Sequence, residues 1–246
     1  MVEFFIICLL FVYSFSLSPQ FSDENEIDVS KFKVASSTDQ IIVVIPPYYT
    51  STDAMLYFYI KKDNKWNLHT RTEAYIGKNG LGKEREGDNK TPIGVYQFNR
   101  YFGIEDNPGT NLPYVKVNES HYWDGDSNSS RYNTLVNNET YKDFNASDSE
   151  HLIEYNPGYE YALNIDYNKE QTPKKGAGIF LHCFTDRQHT AGCVAINKEK
   201  LKNIYKEVNE NCYIIINTKE NMTQYYYDSK FINLGLIMLA CLILCL

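Results

Sequence analysis

The stretch IFLHCFTDRQHTAGC, Ile179 to Cys193, places His182, Cys183, His189 and Cys193 within twelve residues. Such groups serve a metal site, a disulfide, or a thiol nucleophile with an imidazole base. Neighbours on a strand face opposite sides, so His182 and Cys183 do not readily share one tetrahedral metal, and no metal is expected. A disulfide could pair Cys183 with Cys212 and leave Cys193 free, which is compatible with catalysis. In the nucleophile reading, GIFLH is an apolar strand ending at His182, CFTDRQH is a loop, and TAGC is a tight turn just before a helix. Backbone N–H groups at that turn and the helix N-terminus favour a thiolate at Cys193. His182 takes the thiol proton, Gly192 lets the backbone approach a substrate, and the N–H groups of Gly192 and Cys193 face a developing oxyanion.

These residues need a frame to hold them. From Gln40 onward short apolar runs alternate with Gly, Pro and Asn turns: IIVVI, AMLYFYI, WNLHTRTEAYIG, GVYQF, YVKV, EYALNIDY, GIFLHC and CYIIIN. That pattern predicts a mostly-β domain. One helix is expected in NKEKLKNIYKEVNEN, capped by Asn197, with Leu201, Ile204, Tyr205 and Val208 on one face. Residues 118–150 form a long polar excursion, as a functional loop or lid would. The sequence thus divides into 1–16, a signal peptide around the apolar run Phe4 to Tyr13; 17–39, a loose polar leader; 40–218, the catalytic domain; 219–230, a polar spacer; and 231–246, a hydrophobic C-terminal membrane anchor, either a tilted tail anchor or the removable tail of a lipid-anchoring signal. Together with the sequons Asn89, Asn118, Asn128, Asn138, Asn145 and Asn221, the ends predict a glycoprotein of the secretory pathway, extracellular or at the cell surface.

The formal charge of −7 argues against a nucleic-acid partner, which requires clustered Lys and Arg. Nine acidic and two basic residues fall within 119–160, so the acidity is local. Two motifs fail on inspection. GKNGLGK, Gly77 to Lys83, has the P-loop spacing, but Glu84 stands where magnesium needs Ser or Thr, and Gly87 and Pro92 forbid a following helix. DGDSN, Asp124 to Asn128, starts like a calcium loop, but Ser129 replaces its turn glycine and Leu135 its bidentate glutamate.

Around Cys193 the sequence resembles the L,D-transpeptidase catalytic domain, or YkuD domain, whose motif is a strand histidine, a loop, and a Ser/Thr-x-Gly-Cys turn. The resemblance extends upstream through GKNG, KEREGDNKTPIGVYQF, FGIEDNPGTNLPYVKV, YWDGDSNSSRYN and YALNIDYN. It implies a β-sandwich-like fold with one C-terminal helix and a long polar loop. Cys193 would be the nucleophile, His182 the base, Gly192 part of the turn, and the carbonyl of Cys183 the third group, with Thr190 and His189 meeting substrate. The implied reaction is acyl transfer on peptidoglycan tetrapeptide stems: a Cys193 thioester forms, D-alanine leaves, and an amine or water resolves the thioester, with no cofactor. The alternative is an inactive surface module that binds peptidoglycan. Members often carry a histidine where this chain has Ala191 and an arginine where it has Ala195.

Overall fold

The computed structural model describes residues 27–227. The signal segment 1–16 and the anchor 231–246 therefore lie outside the described residues. Among those described, no helix is long and apolar enough to cross a membrane.

In chain order the strands are β1 (Gln40–Ile45), β2 (Asp53–Lys62), β3 (Lys65–Tyr75), β4 (Gly94–Gly103), β5 (Tyr114–Lys116), β6 (His121–Trp123), β7 (Leu135–Asn137), β8 (Glu150–His151), β9 (Ala162–Ile165), β10 (Phe180–Cys183), β11 (Val194–Ile196) and β12 (Tyr213–Ile216), with helix α1 (Lys198–Glu207) before the last. The main sheet runs β12-β1-β2-β3-β11-β10-β9-β4-β5, and β12 also pairs with β4, so the expected sandwich closes on itself. The β2–β3 turn is made by Asp63 and Asn64, both at positive φ, as a two-residue hairpin linking right-twisted strands requires.

QIIVVI is a continuous apolar run because β1 is buried on both faces. Ile42 and Val44 join the main core, which also holds Leu181, Cys183, Val194 and Ile196. Ile41 and Val43 face a second cluster completed by Val29, Phe32, Ala35 and Met222. This differs from the loose leader and polar spacer expected outside 40–218. Residues 29–36 fold into two 3-10 turns, Lys219–Tyr225 into a third, and Phe32 bridges to Tyr226. The reason is physical: without these two segments the outer face of β1 would expose its isoleucine and valine to water.

Helix α1 forms as expected. Asn197 accepts hydrogen bonds from the N–H groups of Glu199 and Lys200, and Leu201, Ile204 and Tyr205 are buried against the sheet. The polar excursion is not irregular: β7, β6 and β8 make a small separate sheet, anchored by the buried Trp123, Tyr132, Val136 and Leu152. Trp123 Nε1 donates to Asn133 Oδ1 (3.0 Å), which also accepts from Gly178 N (3.0 Å), so this flap is tied directly to the segment entering β10.

Candidate active site

Strands β10 and β11 are parallel, with His182 opposite Ala195. Extended by one pair, the register sets Cys193 opposite Phe180, so Phe180, His182, Cys193 and Ala195 share one face. Leu181, Cys183, Val194 and Ile196 point the other way, into the main core. His182 and Cys193 are thus diagonal neighbours, a separation long side chains span. The two line one cavity of about 540 Å³ together with His189, Glu150, Tyr159 and Lys83. Ala191 and Ala195 line it too, so the positions that often hold histidine and arginine in the resembled family contribute neither charge here.

The turn that presents the thiol is held from several sides. Thr190 N donates to Ile76 O (2.8 Å), and Lys78 N donates to Thr190 O (2.9 Å). The Thr190 hydroxyl donates to Cys193 O (2.7 Å) and accepts from Gly192 N (3.0 Å). Thr190, expected to meet substrate, thus has its hydroxyl engaged inside the turn. The Gly192 N–H, expected to face an oxyanion, is likewise engaged. Gly192 has φ 144°, and a Cβ there would sit 2.8 Å from Lys90 O, so only glycine fits. Thr91 Oγ1 donates to Cys193 O (3.2 Å) and accepts from Gly77 N (2.8 Å), which fastens the 77–91 loop beneath the turn. The failed P-loop motif is this supporting loop.

Its rigidity comes from Asp88, which accepts from Lys83 Nζ (2.9 Å) and from the N–H groups of Glu84, Arg85 and Lys90. Both side chains of the Lys83–Asp88 pair are buried. The bonds outweigh the burial of Asp88, and its carboxyl is held down at about 2. The Lys83 ammonium lies 3.5 Å from where a Gly192 Cβ would be, so the pair sets a fixed positive charge beside the Cys193 turn.

His182 Nδ1 lies 2.8 Å from Cys183 O. A carbonyl only accepts, so Nδ1 carries the proton and Nε2 keeps its lone pair. The main-chain carbonyl of Cys183 thus lies where the resemblance puts its third group. Burial pushes the imidazole down to about 4, against the opposing pull of the Cys183 and Gly158 carbonyls. The Tyr159 ring packs edge-on at 5.4 Å from the imidazole. Cys193 Sγ donates to Gly178 O (3.2 Å) and accepts from Phe180 N (3.3 Å). Burial, reinforced by Glu150, pushes its thiol up to about 12, with Phe180 N–H and Lys83 opposing.

Burial of both groups favours a neutral thiol and a neutral imidazole at rest, where the turn and the helix N-terminus alone would favour the thiolate. The physical reason is enclosure by the flap together with the position of the helix: β11 intervenes between Cys193 and α1, whose first residue is Lys198. The Cys183–Cys212 disulfide that the sequence allowed is not formed. Cys183, Cys193 and Cys212 are all free, and Cys183 Sγ instead contacts Tyr161 O at 3.7 Å in the main core. Five residues of the site were missed in the sequence reading: Lys83, Asp88 and Thr91, which belong to the KEREGDNKTP landmark, and Glu150 and Tyr159, which carry no motif.

The buried His182 and the half-buried Glu150 make opposing contributions to stability against pH. His182 moves from 6.5 unfolded to about 4 folded, so its contribution is present above 6.5 and is lost as pH falls toward 4. Glu150 moves from 4.5 to about 7, chiefly by burial, so its contribution is present below 4.5 and is lost as pH rises through 7. Each is worth up to about 3 kcal/mol, that of the half-buried Glu150 less. In urea unfolding between pH 4.5 and 6.5, stability relative to wild type should fall with rising pH for His182→Gln and rise with pH for Glu150→Gln. Curves parallel to wild type for both variants would contradict this assignment.

The L,D-transpeptidase catalytic domain (YkuD) family model matches residues 39–216. No curated protein sequence matches the chain. Among solved structures, the helical cell shape determining protein Pgp2 of Campylobacter jejuni is 21% identical over 74% of this chain and 49% of its own, with a TM-score of 0.40. Bd1075 of Bdellovibrio bacteriovorus is 18% identical over 82% of this chain and 58% of its own, also at 0.40. An L,D-transpeptidase from Mycobacterium tuberculosis is 13% identical over 73% and 57%, at 0.34. The chain thus spans about half of the length of these solved proteins.

Proposed function

The chain belongs to the L,D-transpeptidase catalytic domain (YkuD) family, and from that premise we propose that it is a cysteine-dependent acyltransferase acting on peptidoglycan tetrapeptide stems. One observation carries this reading. His182 and Cys193 share one face of adjacent strands within one cavity, and the Cys183 carbonyl fixes the imidazole tautomer that leaves Nε2 as a base.

The neutral pair begins the reaction. His182 Nε2 takes the thiol proton as Sγ attacks the carbonyl carbon of the L-centre of the stem's diamino acid. The negative charge that develops on oxygen is met by the N–H of Cys193 and by the field of Lys83, both fixed before substrate arrives. When the tetrahedral species collapses, the bond to D-alanine breaks, the departing amine takes the proton from His182, and a Cys193 thioester remains. An amine from a second stem then gives a crosslink, and water gives a shortened stem. Enclosure of the thiol by the flap, seen in its contact cluster with Trp123, Leu152 and Phe180, excludes water from the first step. The substrate places the enzyme outside the cytoplasm, at a bacterial wall or a cell surface that meets one.

Incubating the full-length protein with disaccharide-tetrapeptide should release D-alanine, measured by mass spectrometry. Absence of both D-alanine and any acyl adduct would overturn the proposal in favour of a binding module.

A further inference from the structure

Glu150 has no part in the mechanism above, yet it faces the nucleophile. It sits on β8, paired with Trp123 of β6, so the flap delivers it to the cavity that holds Cys193 and His182. Its Oε2 accepts from the Tyr159 hydroxyl (2.8 Å), and Tyr159 packs against the His182 ring. Its Oε1 lies 3.4 Å from where a Gly178 Cβ would be, and Gly178 O is the acceptor of the Cys193 thiol proton. Glu150 also lines a second cavity of about 320 Å³ under the flap, with Trp123, Gly125 and Ser149, and so stands where the two spaces meet.

Among the described residues no ion pair involves Glu150, and Lys83, the cation beside the thiol turn, is committed to Asp88. A carboxylate without a cation opposes a thiolate and so hinders the first step. Against the neutral thioester it opposes nothing, and it attracts a cation brought by the second substrate. The acceptor amine of a diamino acid arrives at neutral pH as an ammonium, which cannot attack until it loses a proton.

We propose that Glu150 is a further catalytic residue of this site, receiving the acceptor ammonium and taking the proton that must leave before the amine attacks the thioester. The inference rests on the acyl-transfer reading above. The step balances. The ammonium gives one proton to the Glu150 carboxylate, and the freed lone pair forms the C–N bond as the C–S bond breaks. The second amine proton passes through His182 Nε2 to the departing sulfur, and Glu150 returns its proton to water. An ammonium and a thioester become an amide, a thiol and one proton. Burial, helped by Glu86, raises the affinity of the carboxylate for a proton, to about 7, while the Tyr159 hydroxyl holds it in place and opposes that rise. The group thus exchanges protons in the range where an amine must be activated.

The test uses the full-length protein with a tetrapeptide stem as donor and either a second stem, whose side chain is an ammonium, or hydroxylamine, which is uncharged at neutral pH. The readout is the ratio of transfer product to hydrolysed acid, which divides out the rate of acylation. Glu150→Gln should lower the ratio for the stem acceptor about tenfold or more and leave it unchanged for hydroxylamine. In wild type the stem ratio should gain from ionisation of Glu150 as pH rises through 7, a gain lost in the variant. Tyr159→Phe, which keeps the ring, should lower the stem ratio by a smaller factor, and it carries the test if Glu150→Gln fails to fold. An unchanged stem ratio in both variants would overturn the inference, as would a Glu150→Gln effect confined to KM for the donor. If wild type forms no adduct at Cys193 with any donor, the acyl-transfer reading itself has failed.

Discussion

Replacing Cys193 with alanine is expected to lower D-alanine release from a tetrapeptide stem by about 10⁴-fold or more, because no other group at the site can form the covalent intermediate. His182→Ala should cost about 10²- to 10⁴-fold. The resting thiol is pushed up to about 12 and has no thiolate to offer without a base. Residues that act as one unit lose their effects non-additively, so the double variant should be no slower than Cys193→Ala alone. Multiplicative losses would mean that His182 acts elsewhere, for example on binding. The fold should survive these changes, since both side chains face the cavity and the core face of β10 and β11 is untouched. Circular dichroism and urea unfolding separate lost chemistry from lost structure.

The largest expected stability effect lies in the 77–91 loop. Asp88→Ala should cost about 3–5 kcal/mol, because it leaves the buried Lys83 ammonium unpaired and strips three backbone N–H groups of their acceptor. Lys83→Met should cost much less, since Asp88 keeps those three N–H donors and a chain of similar length fills the space. This order, aspartate far above lysine, distinguishes a carboxylate that organises a loop from a simple ion pair, for which either loss would cost about the same. Because Thr91 of the same loop bonds to Cys193 O, Asp88→Ala should also slow acylation of the protein that remains folded. Urea denaturation gives the first effect and single-turnover acylation the second.

The strand pattern and the helix were legible because alternating apolar runs and the Asn197 cap are local signals. His182 and Cys193 were legible for a related reason: a strand end and a Gly-Cys turn are short-range features. The packed ends were not. The leader reads as polar and turn-rich, and only the doubly buried run of β1 implies that something must cover its outer face. The protonation state of the thiol was read from the turn and the nearby helix alone. Burial under a flap that begins some seventy residues upstream opposes that thiolate, and no local pattern carries that information. Glu150 and Tyr159 were silent in the sequence because their role depends on how the flap docks onto β10. Thr91 and Asp88 stood in a recognised landmark, but their use as supports for the Cys193 turn depends on contacts across about a hundred residues.

The central claim is that Cys193 carries the acyl group. Full-length protein mixed with disaccharide-tetrapeptide, quenched in acid and digested, should yield one peptide containing Cys193 heavier by the stem minus D-alanine, and the added mass should be removed by hydroxylamine. The same adduct on Cys183 or Cys212, or D-alanine release undiminished in Cys193→Ala, would contradict the account.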